Sequence, residues 1–355
     1  MKEMTTSERV GRMYEHREAD RVPMLGSPWD TTIERWRREG MPEGVDFTEY
    51  FDIDRVVSIH FDNSPRYEVR TVEETDEYKV FTSKWGVTLR QWKHAASTPE
   101  FLKFTVVDRD SWEKAKARMT PTRDRIDWDE LKKSYPKWRR DGAWLELYGW
   151  FGFDVTHSWM VGTERVLIAL IEDPAWCVDM FNHYLDVQLG LFEMLWEAGY
   201  TFDCLRWPDD MGYKLSQFFS VGMYRELLKP VHKRAIEWAH SKGIKALLHS
   251  CGDIRPFIPE LVGIGLDGIN PLEVKAGVDP VAVKAKYGKK LLLHGGVNAV
   301  LWDDLPRIEA EMRRVVPALK ESGGYVFGSD HSVPSSVSLD NFRRIVELAK
   351  ELGSY

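Results

Sequence analysis

Cysteine is scarce in this 355-residue sequence: only Cys177, Cys204 and Cys251 occur. Three widely spaced thiols make no disulfide framework, so a reducing, cytoplasmic setting is expected, with at least one thiol free for chemistry. No window offers the roughly 18 consecutive apolar residues of a membrane span. The opening MKEMTTSERVGRMYEHREADRVP is charged throughout and has no apolar core, which argues against a secretory signal. Basic charge is not in excess either. The 49 Lys and Arg against 56 Asp and Glu give a net charge of −7, and without a basic stripe a nucleic-acid partner is not expected. A glycine-rich phosphate loop of the G-x-x-x-x-G-K-[ST] type is missing. So is any low-complexity linker, and residues 1–355 are expected to form one domain.

What the sequence does have is rhythm. Ser7 to Glu18 is periodic and predicts a surface helix capped by Ser7. Short apolar runs at 22–27 and 56–61 predict two buried strands. Between Arg66 and residue 95 the alternation of Tyr67–Val72, Tyr78–Phe81 and a third run after Gly86 predicts an antiparallel excursion, a flap of half-exposed strands. Residues 98–140 are charged and partly helical. From Ala143 onward apolar runs at 143–151, 202–207, 245–250, 268–272, 291–294 and 325–328 alternate with helical stretches. Counting the two early strands, this alternation predicts an α/β fold, a (β/α)8 TIM barrel.

In such a barrel the chemistry lies at the C-terminal ends of the strands. Those ends carry Trp29, His60 and Asp62, Tyr148 and Trp150, Trp207 with Asp209-Asp210, His249 and Cys251, Asn270 and Glu273, His294, and Asp330-His331. His249-x-Cys251 stands out. Residues i and i+2 of a strand point to one side, so an imidazole and a thiol would converge at the mouth. Both are good zinc ligands, and a catalytic zinc takes three protein ligands and keeps one position open. Glu273, His294 or His331 would supply the third contact. Asp209 and Asp210 suit acid/base work, or one of them caps a short helix near Leu215. His60 and Asp62 would pair at the mouth or brace the flap. Of Asp330 and His331 only one can face inward. Trp29, Trp150 and Trp207 would line an apolar ligand cavity or pack under the flap, in keeping with the 15 tryptophans of the chain. Cys177 in a helical run and Cys204 inside a strand are expected to be small buried hydrophobes.

His249-Ser250-Cys251-Gly252-Asp253, Gly265-Leu266-Asp267-Gly268-Ile269-Asn270 and Leu293-His294-Gly295-Gly296-Val297-Asn298 together resemble the uroporphyrinogen decarboxylase superfamily. So do Ser7-Glu8-Arg9-Val10 followed by Asp20-Arg21-Val22-Pro23, and the late stretch from Gly323-Gly324-Tyr325 to Pro334. The resemblance spans nearly the whole chain and implies a (β/α)8 barrel. Decarboxylases of the superfamily carry M-R-Q-A-G-R-Y after the first strand, whose cations hold the substrate carboxylates. Here the stretch is Met24-Leu25-Gly26-Ser27-Pro28-Trp29-Asp30, without arginine. The other branch comprises corrinoid-dependent methyltransferases with an H-x-C…C zinc motif. His249 and Cys251 match its first half, and His331 stands where the distal cysteine is expected.

The resemblance therefore implies a zinc-dependent methyltransferase moving a methyl group between a small molecule (a thiol, a folate or a methoxylated compound) and a corrinoid on a partner protein. The chain itself has no D-x-H-x-x-G corrinoid pattern. Zinc would be held by His249, Cys251 and His331, with Glu273 as a fourth ligand. Asp209 or Asp210, with His60, would move a proton or orient substrate, and Trp29, Trp207 and Asn270 would contact the cofactor. A homodimer fits the superfamily. Two alternatives are a cofactor-free tetrapyrrole decarboxylase and a non-enzymatic tetrapyrrole-binding barrel.

Overall fold

The computed structural model describes residues 3–94 and 98–355; residue 95, the far edge of the predicted flap, lies outside them. Thirteen strands are described. β1 (Val56–Ile59), β6 (Trp144–Tyr148), β7 (Cys204–Pro208), β10 (Lys245–His249), β11 (Gly268–Asn270), β12 (Leu292–His294) and β13 (Tyr325–Val326) form one parallel sheet in that order. Helices alternate with its strands, among them Pro174–Glu197, Lys229–Ser241, Leu305–Lys320 and Leu339–Gly353. The fold is thus of the α/β, TIM-barrel-like kind that the alternation predicts.

The predicted first strand is reduced to one parallel bridge, Met24 to Phe327. Leu25 N–H donates to Phe327 O at 2.9 Å, and Asp54 N–H donates to Met24 O at 3.1 Å, so this short segment joins β13 to the start of β1. Pro23 and Pro28 bracket it. Neither has an N–H to give a ladder, which keeps the eighth staff of the barrel short.

The flap is a four-stranded antiparallel sheet of β2 (Arg70–Glu74), β3 (Tyr78–Thr82), β4 (Val87–Trp92) and β5 (Glu100–Phe104). β5 extends it beyond the expected boundary. Its exposed, charged composition hid a strand that pairs with β4 through Val87–Phe104 and Arg90–Glu100. Two further corrections are local. The first helix runs Thr6–Tyr14 with Thr5 as its cap, because Thr5 and Glu8 form a reciprocal capping box that Ser7 cannot. Near Leu215 the chain makes a hairpin of β8 (Gly212–Tyr213) and β9 (Ser216–Gln217), not a helix.

The barrel interior is divided along its axis. At its N-terminal end Val10, Met13 and Tyr14 of the first helix pack on Trp144, Cys204, Leu247, Leu292 and Val326, closing that end with apolar side chains. Tyr14 stacks on Trp144 at 5.4 Å. Cys204 is buried in this plug and Cys177 within its helix. A buried charge cluster pins the plug: Arg9 bonds Asp54 at 2.5 Å and Asp20 at 2.7 Å, and Arg21 bonds Asp54 at 2.6 Å. Arg9, Asp20 and Arg21 belong to the N-terminal stretches quoted above, and pinning the plug is what they do in this fold. Polar residues take over toward the other end, where the same strands carry Ser58, Glu146, Arg206, His249, Asn270 and His294. No helix among the described residues is long and apolar enough to cross a membrane.

Candidate metal centre at the barrel mouth

A cavity of about 670 Å³ opens at the C-terminal end of the sheet. Its walls include Ser27, Trp29, Arg206, Asp210, His249, Cys251, Asn270, His294 and His331, drawn from both ends of the sequence. At its centre one ligand atom each from Asp210, His249 and Cys251 lie within 4.8 Å of one another.

The pair of sequence neighbours is oriented by others. His249 Nδ1 faces Asn270 Oδ1 at 2.6 Å, which makes Nδ1 the protonated nitrogen and leaves the Nε2 lone pair toward Cys251 Sγ, 3.4 Å away. Asn270 is held in turn, its amide nitrogen donating to His294 O at 3.3 Å and its oxygen also receiving Arg206 Nη2 at 3.3 Å. Cys251 N–H donates to Asp210 Oδ1 at 2.7 Å, tying the loop after β7 to the loop after β10. Gly252 follows with φ +81°. A Cβ there would come within 2.2 Å of the Gly212 backbone, so only glycine lets the β8–β9 hairpin close on the turn that presents Cys251.

Electrostatics in this pocket oppose bare charge. Burial pushes the Cys251 thiol well above its ordinary range, and Asp210 and Glu273 add to this while Lys275 offsets part of it. His249 is lowered, by burial first and then by Arg206, against Asp210. Burial, Arg206 and His249 bring His294 down to about 3, so it is neutral. An empty thiol here is protonated; a cation among the three donors would favour the thiolate.

The remaining predicted residues separate into groups. His331 lines the same cavity with its ring 6.2 Å from Trp29, but is not one of the three converging groups. Its neighbour Asp330 is buried and accepts Ala299 N–H at 2.6 Å and Val274 N–H at 2.8 Å. Glu273 accepts Gly252 N–H at 2.6 Å and pairs with Lys275 at 3.4 Å, so it supports the cysteine turn. Asp209 faces away from the cavity: it bonds His232 Nε2 at 2.7 Å and Asp154 N–H at 2.7 Å, and His232 continues to Tyr224 Oη at 3.2 Å. Trp207 is fully buried against Phe151 at 5.4 Å and does not reach the cavity.

His60 does not pair with Asp62. Its ring packs 4.3 Å from Tyr148, whereas Asp62 bonds Ser64 at 2.6 Å, Arg66 at 2.7 Å and Lys84 at 3.1 Å and so braces the flap. Two residues were missed. Arg206 is a half-buried cation on the cavity wall, 3.6 Å from Glu146. Asp154 is brought up to about 7 by burial, then by Asp210 and Asp209. Arg206 shares its face of β7 with Cys204, an alternation visible in the sequence; Asp154 lies at the start of the helical turn Val155–Val161 and carries no such signal.

A TIM-barrel-like fold with Asp210, His249 and Cys251 converging beyond the C-terminal ends of its strands has its polar cluster where barrels of this kind carry their chemistry. Residues 155–352, more than half of the chain, match the family described as uroporphyrinogen decarboxylase (URO-D), and the chain belongs to that family. Among solved structures it is similar to a methyltransferase from Methanosarcina mazei, at 15% identity and a TM-score of 0.67, over 98% of this chain and 99% of that one. A comparison with curated proteins finds no match.

Proposed function

We propose that the protein is a zinc-dependent methyltransferase that passes a methyl group between a small molecule and a corrinoid carried by a partner protein. The convergence of Asp210, His249 and Cys251 in an open cavity carries this reading. The donor set suits zinc. Tetrahedral bonds of ~2.0–2.1 Å to nitrogen and ~2.3 Å to sulfur place those two atoms about 3.5 Å apart, and His249 Nε2 and Cys251 Sγ are 3.4 Å apart. A zinc ion bound there would supply a Lewis acid that lowers the pKa of a coordinated thiol or alcohol.

The chain's own residues do the rest. Asn270 fixes the tautomer of His249. Asp210 holds the Cys251 backbone while offering carboxylate oxygen to the cluster. Trp29 and His331 line the same cavity with their rings 6.2 Å apart. Asp154, raised to about 7 and therefore poised between its two protonation states near neutral pH, stands near Asp210 as a proton donor or acceptor. The cavity's cations are Arg55 and Arg206, set against Asp46 and Asp210, while Asp54 is already paired with Arg9 and Arg21. That balance disfavours a substrate with many carboxylates and hence tetrapyrrole decarboxylation.

The test is elemental analysis of protein purified without chelator, together with methyl transfer to free cobalamin. One zinc per chain, lost in Cys251→Ala along with transfer, is the expected result. Porphyrinogen turnover that survives chelation would establish the decarboxylase instead.

A further inference from the structure

A second cavity of about 320 Å³ lies beside the first, under the flap, where β1, β6 and β7 end. Four rings line it: His60, Phe61, Tyr148 and Trp150. Trp150 is wedged edge-on against Trp85 at 5.3 Å and Trp159 at 5.4 Å, and Asn63 donates to its carbonyl at 2.7 Å, so the ring is held rigidly. Two acceptors face the same space. Asp154 takes hydrogen bonds from Trp150 Nε1 and Ser158 Oγ, both at 3.2 Å. Gln188, on the helix behind, is 1% exposed, and its Oε1 has no hydrogen-bond partner. A buried amide oxygen without a donor is costly, and here it borders open space. No Lys or Arg is among the lining residues.

Rings on several sides, a carboxyl and an unpaired acceptor, with no cation in the wall, are the complement of a small organic cation. A quaternary ammonium has no N–H for Gln188; a neutral flat ring, unlike a cation, does nothing to favour the ionised form of Asp154. We propose that this pocket binds a small protonated methylamine, its N–H donated to Gln188 Oε1 and its methyl groups against Tyr148 and Trp150. As a substrate subsite this rests on the methyltransferase reading; as a binding site it does not.

Titration of the metal-free full-length protein, followed by tryptophan fluorescence and calorimetry, separates the two. Trimethylammonium is expected to bind once per chain, with tetramethylammonium roughly tenfold weaker for want of the N–H, and tert-butanol, the neutral isostere, giving no signal. Gln188→Leu should abolish the preference for trimethylammonium over tetramethylammonium, and Gln188→Glu should tighten both. Cys251→Ala should bind like wild type, so loss of zinc chemistry leaves this result standing. Equal binding of tert-butanol, tighter binding of 4-methoxyphenol, no binding at all, or an unchanged preference in both Gln188 variants would overturn the proposal.

Discussion

The two flanks of the barrel mouth use the same spacing to opposite ends. After β10, His249 and Cys251 stand two apart and meet at 3.4 Å. After β1, His60 and Asp62 also stand two apart, yet the ring packs on Tyr148 while the carboxylate turns to Arg66 and Lys84 of the flap region. The alternation of an extended chain sets which side a residue leaves from; it does not set where the side chain finishes. At Cys251 the direction is fixed by Asp210 on the backbone N–H and by the left-handed turn at Gly252. At Asp62 the nearest cations decide. The first flank brings together an imidazole, a thiol and a carboxylate, the donors of the proposed metal; the second brings together rings and acceptors, the walls of the proposed organic site.

Removing a donor from the first flank should have the largest effect. Cys251→Ala is expected to lose bound zinc and to lower methyl transfer by more than about 100-fold, beyond the ~10–100-fold loss seen when an outer partner is removed. Asp62→Ala should leave zinc content intact. His331→Ala sharpens the comparison, because full zinc retention would assign the third contact to Asp210, whereas loss would restore the ligand set inferred from sequence.

Next comes the brace between the flanks. His232→Ala leaves Asp209 buried opposite an empty space, with Asp154 N–H as its remaining partner. Leaving a buried hydrogen-bonding group without its partner costs about 1–3 kcal/mol. Chemical denaturation should show that loss while zinc stoichiometry stays at one; normal stability would mean that the pair contributes nothing.

A smaller effect is expected at Asn270→Leu, which removes the acceptor for His249 Nδ1–H. Zinc affinity should fall by ~10–100-fold, with the site still forming at saturating metal. Competition against a chelator measures it, and an unchanged affinity would show that His249 needs no such partner.

Much of the barrel was legible because buried parallel strands announce themselves as apolar runs between helices. The strands that were missed or shortened lack that signal: β5 is charged and exposed, and the segment at Met24 is bracketed by prolines. His249 and Cys251 were legible as a pair because their nearness is local. Asp210 as their companion was not, since it depends on how the loop after β7 folds over β10. Asp154 and Gln188 were invisible for the same reason, one at the start of a helical turn and the other on a helix outside the sheet, joined only by packing.

The second flank offers the finest test, through pH. Burial, with Asp210 and Asp209, raises Asp154 to about 7. The folded chain then binds a proton that the unfolded chain releases near its ordinary value of about 3.9. Stability from this group is therefore full below pH ~4 and declines as pH rises toward 7, because the native state binds more protons over that interval. In metal-free protein Asp154→Asn should remove that decline and gain on the order of 1 kcal/mol over wild type at pH 8, the full linkage being reduced by water in the adjoining cavity. Thermal unfolding from pH 4 to 8 gives the two curves. If they run parallel, Asp154 is ionised in the native state across that range, and the contrast between a metal flank and a neutral-acid flank fails. Zinc added to wild type should flatten its curve as well, because a cation beside Asp210 would favour ionised Asp154; zinc should leave the Asp154→Asn curve without that change.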